Sequence, residues 1–303
     1  MDGLRIRVPA STANLGPGFD SLALALGLYN SVELTRGPQG YIRVEIHGEG
    51  QDVLPADHTN AVVRAMKYVC DREEAPFPSF ELRCQNGIPP EGGLGSSAAA
   101  YAVGAAAARA LLGIAHDADA LFEIVAELEG HPDNASAAVY GGLVAAGHGE
   151  HGLIARKLRL AGEMKVVVAL PEIRLATHQQ RALLPDCVPL PDAARNIGRA
   201  LLVVEAFATA DYNLLAQAMR DQLHEPHRLA RIPGYAEVMQ AARQAGAAAV
   251  ALSGSGPSLV AFAPSCHDAI AQAMRGAFQR AGVAAQAWVL PIDNDGVVLE
   301  ALH

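Results

Sequence analysis

Apolar residues recur along the chain with two different spacings, which together predict a mixture of strands and helices. Short runs of apolar and β-branched residues between turn signals are typical of strands. Apolar residues three and four positions apart, as at 61, 62, 65, 66 and 69, are typical of one buried helix face. The predicted strands are 5–9, 32–35, 41–46, 79–84, 143–146, 165–170, 247–252, 259–263 and 285–290. The predicted helices are 58–71, 96–112, 117–130, a short helix that Asp133 caps and that stops at 141–142, 192–208, 211–220, 234–245 and 267–281.

The order of these elements predicts an α+β fold with two domains. The last part of the chain reads strand, helix, turn, strand, helix and strand. A connector that is marked by Pro185, Pro189 and Pro191 precedes most of it. A length of 303 residues fits one large domain or two ordinary ones. We therefore predict an N-terminal domain over 1–160 and a C-terminal domain over 161–303.

Composition and charge narrow the class of protein. Hydrophobic residues make up 51 % of the chain and charged residues 18 %, so we expect a sizeable core and no extensive disorder. The net charge of −9 argues against nucleic acid and anionic membranes as partners. The chain has no charge-free apolar stretch of about 18 residues, which predicts no membrane span. The polar start Met1–Arg5 predicts no targeting segment, and four scattered cysteines without a C-x-x-C pair are typical of reduced thiols in a cytoplasmic protein.

A glycine loop that leads into an alanine-rich helix is the first candidate for chemistry. Residues Pro89–Ala99 read Pro-Pro-Glu-Gly-Gly-Leu-Gly-Ser-Ser-Ala-Ala. Glycines let the backbone approach an anion closely at positive φ, and Ser96 or Ser97 can cap a helix whose first N–H groups attract phosphate. No lysine precedes the serines, so the loop is not a Walker A motif, and positive charge must come from the helix end, a metal or arginines. By itself the loop fits either a phosphate cradle or a plain glycine turn.

Polar residues cluster at two further places. Asn14 and Asp20 flank a glycine turn within the segment 9–20, which by itself also fits a capped loop. The segment 130–134 reads Gly-His-Pro-Asp-Asn and places a histidine, a carboxylate and an amide at a predicted helix start. A helix cap needs only one of these side chains, so the second cluster favours a role in binding or catalysis.

Two carboxylates on the helix 117–130 are candidates for a metal site. Glu123 and Glu127 are four residues apart and therefore share one helix face. A carboxylate that faces the glycine loop could bind Mg²⁺ together with a serine hydroxyl, since Mg²⁺ favours one or two carboxylates with waters and substrate phosphates. The alternative is an exposed acidic helix face, which we prefer for Glu127.

Two arginines and a second glycine turn complete the candidates. Arg181 and Arg228 could each be surface residues, but two converging arginines would bind a carboxylate. The turn Ser253–Ser258 reads Ser-Gly-Ser-Gly-Pro-Ser and lies between two apolar runs. It is either a tight hairpin or a turn that brings backbone N–H groups close to the phosphate cradle.

Three of these segments together resemble the motifs of the GHMP small-molecule kinases. They are Ser11–Asp20, Pro89–Ala98 and Ser253–Ser258, they occur in the order found in that family, and they span essentially the whole chain. Within the family, the segments 13–20, 129–134 and 224–228 resemble the homoserine kinases.

This resemblance implies both a fold and an activity. The implied fold is a nucleotide-binding N-terminal domain like the second domain of ribosomal protein S5, followed by a ferredoxin-like C-terminal domain. The implied activity is the ATP-dependent phosphorylation of the side-chain hydroxyl of L-homoserine in threonine biosynthesis.

The resemblance also implies which residues bind each ligand. The phosphates would be held by Pro89, Pro90, Glu91, Gly92, Gly93, Leu94, Gly95, Ser96, Ser97, Ala98 and Ala99, with Asn60 near the adenine. Mg²⁺ would be held by Ser97 and Glu123. Homoserine would bind among Asn14, Asp20, His131, Asp133, Asn134, Thr177, Arg181 and Arg228, and Asn134 and Asp133 are the catalytic candidates. Glu91 stands where the family more often has a small residue, so we expect its side chain to turn to solvent.

The chemistry of homoserine matches the charges of these residues. Arg181 and Arg228 suit its carboxylate. Asp20 or Asp133 suits its ammonium group. Phosphoryl transfer requires mainly positioning and charge stabilisation, and no unambiguous base is visible. We expect Asn134 and the cradle to align the hydroxyl with the γ-phosphate.

Two other functions stay open at this point. A kinase for mevalonate or a sugar is the nearer alternative, although the arginines and carboxylates suit an amino acid better than a neutral sugar. A non-catalytic GHMP-like regulator is the more distant one, and the presence of Ser96, Ser97 and Glu123 counts against it. The sequence is compatible with a homodimer and does not determine the oligomeric state.

Overall fold

The computed structural model describes residues 3–302, so Met1 and Asp2 of the polar start and His303 of the predicted C-terminal domain lie outside the described residues. The strands are β1 (Leu4–Ala13), β2 (Leu22–Arg36), β3 (Ile42–Gly48), β4 (Phe80–Asn86), β5 (Leu143–Gly149), β6 (Gly152–Lys157), β7 (Lys165–Pro171), β8 (Ala249–Leu252), β9 (Leu259–Phe262), β10 (Ala285–Pro291) and β11 (Val298–Ala301). The helices are α1 (Ala61–Arg72), α2 (Ser96–Leu111), α3 (Ala118–Glu129), α4 (Pro132–Tyr140), α5 (Thr177–Arg181), α6 (Leu190–Thr209), α7 (Tyr212–Ala218), α8 (Glu225–Arg228), α9 (Tyr235–Gln244) and α10 (His267–Arg280), with a 3₁₀ turn at Leu229–Arg231.

The strands form two sheets. The first has the order β11-β1-β2-β4-β3, with β5 paired to β2 and β6 to β5, and only its β3–β4 pair is parallel. The second has the order β10-β7-β9-β8, and all of its pairs are antiparallel. Its four strands, numbered along the chain, lie in the order 4-1-3-2 with helices after the first and third, which is the ferredoxin-like arrangement. The predicted α+β fold is therefore confirmed.

The end of the chain returns to the first sheet. Residues Leu4–Arg7 pair with Val298–Ala301, and Leu26 forms an isolated bridge with Ile292. This pairing covers β1, which would otherwise leave a row of backbone groups unpaired at the sheet edge. The predicted C-terminal domain thus contributes its last strand to the sheet of the predicted N-terminal domain.

The second sheet is buried on both faces. Along β7, Val166 and Val168 pack in the core shared with the first sheet, next to Phe207 of α6. The alternate residues Val167 and Ala169 pack on the opposite face, where α9 and α10 cover the sheet. Strands that are buried on both faces read as continuous apolar runs, which is why the sequence predicted them well.

Helix α2 lies at the centre of the N-terminal half, which explains its alanine-rich sequence. It packs against α1, α3, α4 and β1, so it is buried on nearly every side, and its own small side chains let these elements approach it closely. A Cβ atom on Gly104 would lie 2.2 Å from the carbonyl oxygen of Val62 in α1. The absence of that side chain allows the two helices to approach closely.

Two predicted helix caps are wrong. Gly95, in the left-handed conformation (φ 69°), is the N-cap residue of α2, so Ser96 and Ser97 are its first helical residues and neither caps it. His131 is the N-cap residue of α4, because Pro132 at the first helical position starts that helix earlier than predicted. Asp133 therefore lies inside the helix, where its side chain is buried.

The short helix α8 begins with a buried carboxyl group. Glu225 is 7 % exposed, and its Oε1 accepts a hydrogen bond from the backbone N–H of Leu252, at 2.7 Å. Burial raises the pKa of Glu225 from 4.5 to about 7. The folded protein therefore binds this proton more tightly than the unfolded chain, and the stability that results is lost as pH rises through the folded pKa.

We expect the free energy of unfolding to fall by about 3 kcal/mol between pH 4.5 and pH 8 on account of this one group. Glu225→Gln retains an acceptor for the N–H of Leu252 but has no titratable group at this position. Its free energy of unfolding should therefore lack this pH-dependent decrease, and the variant should be more stable than the wild type at pH 8. Urea unfolding at several pH values measures this. Glu237→Gln, at an exposed position on α9, is the matched control and should follow the wild type. Parallel pH profiles for Glu225→Gln and the wild type would contradict the prediction.

Candidate active site

A cavity of about 410 Å³ collects most of the predicted site residues. Its apolar end is lined by Val32, Ile46, Leu54, Cys84 and Val103, and Asn60 also lines it. Burial raises the pKa of Cys84 to about 12, so its thiol is protonated and acts as an apolar wall. The predicted residues that line the cavity are Asn14, Asp20, Asn60, Pro90 to Ser97, His131, Asp133, Asn134, Thr177, Arg181 and Arg228. The predicted residues Pro89, Ala98, Ala99 and Glu123 do not line it.

The glycine-containing segments 11–20 and 253–258 meet at the glycine loop 89–99, which is called the cradle below. Ser253 Oγ donates to the carbonyl oxygen of Gly93 at 2.7 Å, and the backbone N–H of Ser11 donates to the carbonyl oxygen of Leu94 at 3.0 Å. A Cβ atom on Gly93 would lie 2.4 Å from the Ser253 carbonyl oxygen, and one on Gly95 would lie 2.1 Å from Ser11 Oγ. Both glycines also have positive φ. Close packing against two other segments, together with backbone conformation, thus requires glycine at these positions.

The turn 253–258 is hydrogen-bonded to the cradle and to the end of β1. The N–H of Gly254 donates to the carbonyl oxygen of Ala13 at 3.1 Å, and that of Ser258 donates to the carbonyl oxygen of Gly92 at 3.3 Å. These two N–H groups are therefore engaged within the protein. The turn does come close to the cradle, but the two groups hold loops together and are not available to a ligand.

A carboxylate other than the predicted one faces the cradle. Ser97 Oγ donates to Oε1 of Glu129 at 2.5 Å, and Oε2 of Glu129 is buried with no hydrogen-bond partner in the part of the chain that the structure describes. Burial raises the pKa of Glu129. Glu123 is half exposed, 3.8 Å from Arg72, which also pairs with Glu127 at 3.0 Å. The predicted pairing of Ser97 with Glu123 is therefore not observed, because the exposed face of α3 carries Glu123 and the end of α3 carries Glu129 to the cavity.

The start of α4 forms a hydrogen-bonded group of polar side chains. Oδ1 of Asp133 lies 2.7 Å from Nδ1 of His131 and accepts a hydrogen bond from the N–H of Asn134, also at 2.7 Å. Burial by itself would lower the pKa of His131, but its hydrogen bond with Asp133 and the charges of Asp133 and Glu129 outweigh burial, so its pKa is raised. Oδ1 of Asn134 accepts from Ser11 Oγ at 2.8 Å. The amide of Asn134 is thereby oriented, and its Nδ2 is the atom left to donate.

Two residues that were predicted to bind opposite ends of a substrate bind each other. The guanidinium of Arg181 donates from Nη1 and Nη2 to the two carboxylate oxygens of Asp20, at 2.8 and 2.9 Å. Asp20 is held in the left-handed conformation (φ 52°), and its N–H donates to Oδ1 of Asn14. The hydrogen bond and charge of Asp20 raise the pKa of Arg181. The site thus presents a preformed ion pair to the cavity.

Arg228 lies beside this pair, and no carboxylate of residues 3–302 forms an ion pair with it. It is 2 % exposed, and its guanidinium contacts the carbonyl oxygens of Gln180 and Gly254 and the ring of His224, each at 3.4 Å. Burial, and then the charge of Arg181, lower its pKa. A buried cation with only neutral neighbours at hydrogen-bond distance favours an anion in the adjoining cavity.

Two predicted ligand residues have contacts within the protein. Asn60 is the N-cap of α1: its Oδ1 accepts from the N–H of Val62 and its Nδ2 donates to the carbonyl oxygen of Pro55. Thr177 Oγ1 lies 3.3 Å from Ser255 Oγ at the edge of the cavity.

Comparisons with known proteins identify the family of this chain. Residues 60–142 match the model of the GHMP kinases N terminal domain, and residues 203–280 match that of the GHMP kinases C terminal domain. The chain is similar to the homoserine kinase of Moorella thermoacetica, with 41 % identity over 97 % of this chain and 99 % of the relative. The chain belongs to the GHMP kinases.

The fold of this GHMP kinase is similar to the folds of other kinases of known structure. It matches the crystal structure of homoserine kinase from Cytophaga hutchinsonii with a TM-score of 0.88 and 27 % identity, over 99 % of this chain and 98 % of the other. The L. major mevalonate kinase in complex with R-mevalonate matches with a TM-score of 0.74 over 95 % of each chain, but at 18 % identity it shares the fold alone.

Four further points concern the co-substrate, metal ligands, membrane spans and cysteines. ATP is the co-substrate of the family. Residues 3–302 contain no group of three or more His, Cys, Asp or Glu side chains arranged to hold a metal ion. Within the same range, each helix is too short or too polar to cross a membrane. Cys70 and Cys84 are buried, whereas Cys187 and Cys266 are exposed free thiols.

Proposed function

We propose that this kinase transfers the γ-phosphoryl group of ATP to the side-chain hydroxyl of L-homoserine, giving O-phospho-L-homoserine for threonine biosynthesis in the cytoplasm. The observation that carries the proposal is the charge arrangement at the polar end of the cavity. Asp20, Arg181 and Arg228 present one negative and two positive groups there. An α-amino acid carries the complementary ammonium and carboxylate on one carbon.

The nucleotide is expected to occupy the apolar end of the cavity and the cradle. The base would contact Val32, Ile46 and Leu54, with Asn60 nearby, and the phosphates would lie along 90–97. Helix α2 begins at Ser96, so its first N–H groups and the positive end of its dipole would face the phosphates. Glu91 is exposed and also lines the cavity, so the expected turn of its side chain to solvent stays a prediction.

The donor set at Glu129 fits a Mg²⁺ ion. A buried carboxylate oxygen without a partner lies in the same side chain that binds Ser97 Oγ. Mg²⁺ favours one or two carboxylate oxygens, with waters and phosphate oxygens completing the shell. Ser97 and Glu129 would therefore hold it, in place of the predicted Ser97 and Glu123. When bound, the ion neutralises charge on the β- and γ-phosphates.

The substrate is expected to displace the Asp20–Arg181 ion pair. The ammonium group would bind Asp20, and the carboxylate would bind Arg181 and Arg228. A zwitterion can take over both halves of the pair at once, so little electrostatic energy is lost on exchange. A ligand with only one of the two charges would separate Asp20 from Arg181 and provide a new partner for only one of them.

The acceptor hydroxyl is expected to lie near Asn134. Because Ser11 occupies Oδ1 of Asn134, the amide would donate from Nδ2 and hold the hydroxyl oxygen towards the γ-phosphate. Asp133 is bound to His131 and to the N–H of Asn134, so its role is to fix both side chains. We propose that no side chain removes the proton before transfer and that the phosphoryl group takes it late. A carboxylate variant whose kcat collapses and recovers at high pH would contradict this mechanism.

A substrate panel tests the proposal. We expect L-homoserine to be phosphorylated with kcat/KM at least about a hundredfold above that of 4-hydroxybutanoate or 3-aminopropan-1-ol, which each lack one charged group. Mevalonate and free sugars should not be phosphorylated. ADP release and phosphorus NMR of the product measure the reaction. Turnover of mevalonate or a sugar in preference to homoserine, or no turnover of any substrate with Mg²⁺ and ATP, would overturn it.

The domain division near 160 and a homodimer also stay proposals, to be tested by limited proteolysis and light scattering.

A further inference from the structure

We propose that His224, in its neutral form with the proton on Nε2, is a positioning residue that joins Arg228 to the loop 14–20 as one carboxylate-binding unit. This inference rests on the proposed function and adds a residue to it. His224 is fully buried and does not line the cavity, so it would act on the substrate only through its neighbours.

The hydrogen bonds of His224 determine its tautomer. Nε2 lies 2.9 Å from the carbonyl oxygen of Gly16, which can only accept, so Nε2 carries the proton. Nδ1 lies 3.4 Å from Nη1 of Arg228, which can only donate, so Nδ1 carries the lone pair. A neutral imidazole satisfies both neighbours, whereas an imidazolium would direct a second donor at the guanidinium.

The ring also orders the aromatic side chain between the arginines. Phe19 stacks on His224 with ring centroids 5.1 Å apart, and the guanidinium groups of Arg181 and Arg228 lie 5.8 and 5.4 Å from the Phe19 ring centre. One imidazole thus contacts the backbone of the loop that carries Asn14 and Asp20, the ring beneath both cations, and Arg228 itself.

The other charged groups around His224 do not require it to be charged. Oδ2 of Asp221 is 3.7 Å from Nε2 of His224, but it already accepts hydrogen bonds from the N–H groups of Leu223, His224 and Glu225. Arg228 opposes protonation, whereas Asp221 and the more distant Asp20 favour it. Burial outweighs these carboxylates and lowers the pKa of His224 from 6.5.

The test separates positioning from simple structural support. We expect His224→Leu to raise KM for homoserine about tenfold, through loss of both hydrogen bonds, with KM for ATP and kcat within about twofold of the wild type. His224→Gln can donate to Gly16 and accept from Arg228, so it should stay within about threefold of the wild type. His227→Leu, at an exposed position of helix α8, which follows His224, is the control and should change neither KM.

The pH profile supplies the second readout. In the wild type, KM for homoserine should rise as pH falls below the ordinary histidine range, because protonation removes the acceptor for Arg228. The rise in His224→Gln should be smaller than in the wild type, since Asp20, Asp133, Glu129, His131 and Glu225 are the same in both proteins and contribute equally to both profiles.

Either of two results would overturn the proposal. One is a homoserine KM in His224→Leu that is unchanged or rises in step with the ATP KM. The other is an acid-side rise in His224→Gln equal to that of the wild type. If His224→Leu does not fold, the profile of His224→Gln decides alone. A wild-type enzyme that is inactive on homoserine would instead refute the proposed function, so the two failures are distinguishable.

Discussion

Glu129→Gln is expected to lower kcat/KM for the Mg²⁺–ATP complex by at least about a hundredfold. The substitution turns a carboxylate beside Ser97 into an amide of the same size, whose NH₂ group cannot bind a cation. Among the described residues the buried Oε2 of Glu129 has no hydrogen-bond partner, so the loss of activity should come from the metal and not from folding. Activity titrated with Mg²⁺ measures it, and the half-saturating concentration should increase.

Glu123→Gln is the matched control, because it makes the same change on the same helix. Its carboxylate is half exposed beside Arg72, so both the activity and the Mg²⁺ dependence should stay at wild-type levels. The reverse result, a loss with Glu123→Gln and none with Glu129→Gln, would restore the metal ligand that the resemblance implies. Thermal unfolding of both variants excludes a difference in stability as the cause.

Arg228→Ala is expected to raise KM for homoserine about a hundredfold while KM for ATP changes by less than about threefold. A buried hydrogen bond between charged groups contributes about 1.5–3 kcal/mol. Within residues 3–302, Arg228 contacts only neutral groups at hydrogen-bond distance, so most of this energy would become available when the substrate carboxylate binds. Initial rates with each substrate varied in turn measure the two constants.

Arg181→Ala should raise the homoserine KM as well, but by less. Arg181 must exchange Asp20 for the substrate carboxylate, so part of its interaction energy is already present in the free enzyme. Equal effects on the homoserine and ATP constants in both variants would contradict a carboxylate-binding role. A larger effect for Arg181 than for Arg228 would contradict the exchange of ion pairs.

The accuracy of the strand predictions followed burial only in part, since the buried apolar residues Leu22–Leu26 of β2 were not predicted as a strand. Strands β7 and β9, buried on both faces, were predicted within a residue or so of their ends, because nearly all of their positions are buried and apolar. Strands β6 and β11 were missed because most of their residues are partly or fully exposed. They exist because β5 and β1 offer unpaired backbone groups, which a local pattern does not record.

The same reasoning explains the two caps that were wrong. Both serines at the start of α2 and the aspartate at the start of α4 are good capping residues, so the sequence favoured them. Gly95 and His131 take the cap positions instead. Gly95 does so because Ser11 and Asn134 pack against it too closely for a side chain.

The sequence by itself determined the family, the glycine loop and the residue types of the candidate site, because these depend on local backbone freedom and on side-chain chemistry. Only the tertiary structure decided which groups meet. It joined Asp20 to Arg181 across 161 positions of sequence, and it placed Glu129 instead of Glu123 beside Ser97. Helical spacing establishes which residues share a face, but the packing of α3 beside α2 and α4 decides which face the cavity.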